Sequence, residues 1–137
     1  MTRARLEAKI GFDKIRETIS NRCQTEYATK RVAEEEFSSD EDIISERLAI
    51  TDEMRLVVMF EDSFPTTGYI DALPFLEPLE KSGSCIDVPS LGKLSTLLEI
   101  SRKLGYFFSS IKDGVYPLLK KRVNKMASYP EIRRRIE

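Results

Sequence analysis

A chain of 137 residues with 41% hydrophobic and 33% charged residues is long enough for one modest core and too apolar to be disordered. Its formal net charge is −1, and it contains no histidine and two cysteines. The missing histidine removes Ser–His and Cys–His nucleophile pairs, most metal sites and the commonest general base, and Cys23 and Cys85 form no CxxC motif. No apolar run approaches the roughly 18 residues of a membrane span. The first ten residues are charged and lack the apolar stretch of a secretory signal. These features lead to the expectation of a cytoplasmic protein with reduced thiols and no membrane partner.

Residues 11–22 read as a helix with Ile15 and Ile19 on one face and Phe12 beside them. A second helix is expected over 25–36, opened by Thr25 and closing in Glu34-Glu35-Glu36. Three acids oppose the dipole at a helix C-terminus, so that end frays or meets cations elsewhere. Ser39, with Asp42 three residues on, has the spacing of an N-cap, and Asp40, Glu41 and Asp42 fill a favourable first turn. The helix behind them should run to about Asp62. Its last two turns are apolar nearly all round, which predicts burial among several neighbours.

Residues 63–68 and 81–84 are turn segments, and Pro74 and Pro78 allow only short, broken helix between them. From Pro89 to Ile111 runs the clearest pattern in the chain. Leu94, Leu97, Ser101, Leu104, Phe108 and Ile111 alternate spacings of 3 and 4, an a/d seam widened by Leu98. The seam can pack within the chain, against the helix at 40–62, or form a dimer contact. Gly105 inside this helix points to a close helix crossing. Asp113-Gly114 breaks the chain, and Pro117 suits the first turn of a new helix whose apolar face is Leu119, Val123 and Met126. Tyr129-Pro130 interrupts again. Residues 131–137 read as a helix without a stop signal, as in a fragment of a longer protein.

The small net charge hides an asymmetry. Residues 1–101 carry 12 basic and 20 acidic side chains, and residues 102–137 carry 10 and 3. The acids concentrate in residues 34–62, with 11 acidic and 2 basic side chains. Lys120, Lys121, Arg122 and Lys125, extended by Arg133, Arg134 and Arg135, are the candidate nucleic-acid-binding residues, because clustered cations neutralise phosphates. A solvated helix face, or one that pairs with the acidic region at residues 34–62, is the simpler account of them. Tyr116 and Tyr129 flank the cluster, where they either stack on bases or pack in the core. Asp40, Glu41 and Asp42 read as a helix start rather than a cation loop. Cys23 reads as a core thiol at a helix end. No catalytic, cofactor-binding or metal-binding residue is expected.

The fold class expected is all-α: long antiparallel helices with shorter ones packed at one end. The chain reads as a single helical domain over 1–137. Residues 1–62 form its helical N-terminal part, 63–88 a Pro/Gly-containing connection, and 89–137 the long helix with basic C-terminal helices.

The opening Lys9-Ile10-Gly11-Phe12-Asp13-Lys14-Ile15-Arg16 resembles the start of the core region in the second bacterial branch of the MutS family. The stretch from Thr25 through Ala28, Lys30, Arg31 and Val32 resembles the same core, although the family usually has glycine in place of Ala28. Ser38-Ser39-Asp40 before an acidic helix, and Asp71-Ala72-Leu73-Pro74-Phe75-Leu76 before a glycine turn and a leucine-rich helix, extend the likeness over roughly residues 5–112.

The resemblance implies the N-terminal core and lever portion of a homodimeric, DNA- or ribosome-acting ATPase with a nuclease tail. In such proteins long helices couple ATP-driven motion to a nucleic-acid clamp. ATP and Mg belong to other parts of that protein. No G-x-x-x-x-G-K-[ST] phosphate loop occurs here, and Gly92-Lys93 lacks its glycine spacing. The segment itself is expected to be non-catalytic, with branched DNA or a ribosome as the implied partner. The alternative reading is a stand-alone helical adaptor that holds protein partners through an acidic and a basic face.

Overall fold

A computed structural model describes residues 2–136, and every regular element among them is helical. Glu137, the last residue of the final expected helix, lies outside the described residues. The chain divides into two compact units, residues 1–37 and 38–137, so the boundary falls inside the stretch read from sequence as one N-terminal part.

The first unit is three short helices, α1 (Arg3–Ile10), α2 (Phe12–Ser20) and α3 (Glu26–Glu34), packed in chain order. Gly11 ends α1 in the left-handed region at φ 75°, and its N–H bonds back to Ala8 and Glu7. Glycine takes that conformation without the clash a Cβ would bring. Thr25 caps α3 by accepting from the Ala28 N–H at 3.1 Å.

This unit is centred on an ion pair rather than on hydrocarbon. Glu7 is 5% exposed and is its one buried side chain among the described residues, whereas Ile15 and Ile19, expected as the apolar face, are 52% and 46% exposed. Arg16 on α2 donates Nη2 to Glu7 Oε1 at 2.6 Å and Nε to Oε2 at 3.1 Å. It also donates to the Val32 carbonyl within the last turn of α3 and to the Glu35 carbonyl just beyond it, and lies 5.3 Å over the Phe12 ring. Phe12 in turn meets Phe37, ring centroids 5.7 Å apart. Arg3 bonds the Ala33 carbonyl at 3.0 Å and pairs with Glu36. The acidic end of α3 therefore meets cations, as the dipole argument requires.

The second unit carries two long helices, α4 (Glu41–Phe60) and α6 (Val88–Ser110), with α5 (Leu73–Leu76) and a 3₁₀ turn (Glu77–Glu80) between them. Two seven-residue helices follow, α7 (Pro117–Val123) and α8 (Pro130–Ile136). The N-cap of α4 is Asp40, not Ser39: its Oδ1 accepts from the Asp42 and Ile43 N–H groups at 3.0 and 3.2 Å. Asp87 caps α6, accepting from Ser90 N at 2.7 Å. Hydrogen bonding by the Ser90 side chain first, and this backbone bond second, holds its carboxyl below the usual aspartate range.

The core of this unit is small and aromatic. Val57 of α4 is fully buried against Phe107 and Phe108 of α6 and Tyr116 ahead of α7, with Phe64, Leu104 and Leu119 packed around them. Phe64, Phe107 and Phe108 meet edge-on, with centroids 5.0 to 6.4 Å apart. The seam from Leu94 to Ile111 is buried or half-buried at every position. The end of α4 departs from the sequence pattern. Val58, Met59 and Phe60 are 67%, 60% and 67% exposed, because α7 packs on only one side of the helix. Gly68, at φ 91°, lies where an added Cβ would sit 3.2 Å from Ile100, which is buried on α6.

Candidate functional site

The basic residues singled out from sequence sit on α7 and just past it. Lys120 is tied down: its Nζ donates to the Ile111 carbonyl at 3.1 Å and to Asp113 Oδ1 at 2.7 Å. It thereby closes the loop that follows α6, and it holds the Asp113 carboxyl below the usual range. Lys121, Arg122 and Lys125 are exposed, and no ion pair engages them among the described residues. The acidic region does reach α7, but through its backbone. Glu53 of α4 accepts from Leu118 N at 3.1 Å and from Leu119 N at 2.8 Å, so its carboxylate fills the capping role at the N-terminus of α7.

Tyr116 and Tyr129, paired in the sequence reading, separate. Tyr116 is 8% exposed and its hydroxyl donates to Glu61 Oε1 at 3.1 Å. Burial first, and that bond second, push its phenol above the usual range. Its φ of 50° makes it the one non-glycine residue in the left-handed region among those described. Such strain persists only when packing enforces it. Tyr129 is half exposed and faces a cleft.

That cleft, of about 540 Å³, lies between α6 and the segment running from α7 into α8. Ser101 and Gly105 lie on the α6 side, Val123 and Met126 on the opposite side, and Tyr106 and Tyr129 also line it. Gly105 does not mark a close helix crossing: a Cβ built there meets nothing within 4 Å. Arg102, Arg133 and Arg134 add positive charge at the cleft. Glu99 binds Arg102 through both oxygens at 2.8 and 2.9 Å and meets Arg133 at 2.8 Å. One carboxylate thus faces two guanidinium groups, and the Arg102 bond in particular holds the Glu99 carboxyl below its usual range. Arg134 is exposed, and no carboxylate binds it among the described residues.

Cys23 and Cys85 are free thiols; Cys23 is half-buried with its Sγ 3.4 Å from the Ile19 carbonyl, and Cys85 is exposed. Gly92 and Lys93 fall inside α6, where regular helix offers no loop of N–H groups to phosphate. Among the described residues, no group of three metal-ligating side chains converges, and no helix is long and apolar enough to cross a membrane. The cleft is not visible in the sequence, since Ser101, Gly105 and Tyr129 carry no shared spacing. The helix-interior Gly105, read as a close helix crossing, is the one residue of it that the sequence marks as unusual. No protein-family model matches the chain, and no curated protein matches it.

Proposed function

We propose that this chain is a non-catalytic helical module that contacts polyanions through α7 and passes movement between α4 and α7, as the core and lever portion of a MutS-like nucleic-acid-acting ATPase would. The family part of this reading rests on the sequence resemblance. The observation that carries the mechanical part is the Glu53 bond pair, which fixes the start of α7 to the middle of a 20-residue helix. A helix of that length spans about 30 Å, so tilting α4 carries α7 and its exposed cations with it.

Salt-dependent binding of a fluorescent branched DNA tests the contact. Replacing Lys121, Arg122 and Lys125 together by alanine leaves the Lys120 latch intact. The expected result is weaker binding and a log–log salt slope shallower by about 2 to 3; unchanged binding would sink the contact. The coding sequence beyond residue 137 tests the family assignment. A continuation carrying G-x-x-x-x-G-K-[ST] supports it, and one without that string removes it.

A second reading, a protein-binding adaptor, is favoured by one observation. Residues 41–49 of α4 are all exposed, with Ile43, Ile44 and Leu48 at 43%, 37% and 65% among acidic neighbours. Such a stripe is an anchor pattern for a basic, apolar groove on a partner.

A further inference from the structure

The cleft between α6 and the α7–α8 segment, at about 540 Å³, is large enough for a small ligand, since small-molecule sites run from about 300 to 1,000 Å³. Its chemistry is specific. On the α6 side Ser101 and Gly105 present little beyond backbone, so a flat group can approach the helix closely. Glycine at an exposed helix interior costs about 1 kcal/mol against alanine, and no neighbouring atom here forbids a larger residue. Packing therefore does not explain the glycine, whereas an open floor to the cleft does. Tyr106 and Tyr129 offer aromatic faces, being 71% and 49% exposed. Positive charge exceeds negative at the rim, where Glu99 faces both Arg102 and Arg133 and Arg134 adds a further guanidinium.

From this geometry we infer that the cleft holds a nucleobase with its attached phosphate, the ring lying over Gly105 beside Tyr106 and Tyr129 and the phosphate meeting Arg134. The inference deepens the polyanion reading above and rests on it. The ring-and-phosphate chemistry has two sources, an unstacked nucleotide of a single strand or a free mononucleotide. Base–aromatic stacking tolerates any base, so the site selects single-stranded over paired nucleic acid rather than a sequence.

The experiment compares the full chain with Gly105→Leu and Arg134→Gln, using a fluorescein-labelled oligothymidylate and a duplex of the same length. Leucine is a better helix former than glycine, so Gly105→Leu keeps α6 and fills the cleft; thermal melting by circular dichroism confirms the fold. The expected result is single-strand binding about tenfold weaker in Gly105→Leu with duplex binding unchanged, and a smaller loss in Arg134→Gln. Equal single-strand affinity in the parent chain and Gly105→Leu overturns the site. Equal loss for single strand and duplex also overturns it, while leaving the polyanion reading in place. No binding to either probe removes both. Competition by thymidine monophosphate assigns the site to free nucleotides, and binding of the oligomer without such competition assigns it to a strand.

Discussion

The two units of this chain solve the same problem with opposite materials. Residues 1–37 order three helices around a buried carboxylate and the guanidinium that grips it, with their isoleucines left half in water. Residues 38–137 order their helices around Val57 and three aromatic rings, and their ion pairs are exposed or half-buried, outside that core. A directional, charged centre fails when either partner is lost, because the survivor is left buried and unpaired. An aromatic centre fails by degrees, according to the cavity left behind.

The sharpest way to break the comparison is Arg16→Ala. It removes the Glu7 pair together with the bonds to the Val32 and Glu35 carbonyls. Amide protection is expected to vanish across α1 to α3 while α4 to α8 keep theirs, measured by hydrogen exchange; protection retained in α1 would show that the apolar contacts suffice. Next comes Phe108→Ala, which should cost the second unit about 3 to 5 kcal/mol in denaturant melts and leave the first unit untouched. A loss below 1 kcal/mol would mean that the rings repack.

The pH response of the two buried groups, Glu7 and Tyr116, should differ in sign. The Arg16 hydrogen bond holds the Glu7 carboxyl below its ordinary value of 4.5, with Arg16 and Arg3 charges adding to it. The unfolded chain then binds the proton more readily, so the first unit is fully stabilised above that ordinary value and weakens as acid protonates the folded group. Tyr116 runs the other way. Its phenol is raised above 10.0 by burial, so its contribution to the second unit is complete below 10.0 and fades as alkali ionises it. Far-ultraviolet dichroism in acid should therefore lose the short helices first, and alkaline titration should follow the long ones.

Two glycines give the smallest effects, with opposite signs. Gly105→Ala should stabilise the second unit by about 1 kcal/mol. Gly68→Ala, at φ 91° and against Ile100, should destabilise it by about 1 to 2 kcal/mol.

Sequence alone reveals the elements that have periodicity. The helix expected over 89–111 is observed one residue earlier at both ends, and the broken helix expected around Pro74 and Pro78 is observed as α5 and its 3₁₀ turn. The pattern does not show which apolar face finds a neighbour: Phe60 and Val57 are equally apolar, yet one is exposed and the other fully buried. It also conceals Glu7, whose partner is set by the reversal at Gly11 and not by helical spacing. The basic cluster is legible as a cluster, but Lys120 is removed from it by Asp113 and Ile111, and the cleft arises only where separated segments meet.

The Glu53 cap carries a consequence for the order in which structure forms. Isolated helices shorter than about 12 to 15 residues are marginal in water, and α7 has seven. Its first N–H groups depend on a carboxylate 65 positions earlier in the chain. This wall of the cleft is therefore a late-folding, early-opening element. With Glu53→Ala, the amides of Leu118 and Leu119 should exchange ahead of those in the core of α6, and the cleft would then gate by partial unfolding on one side rather than by hinge motion of its floor.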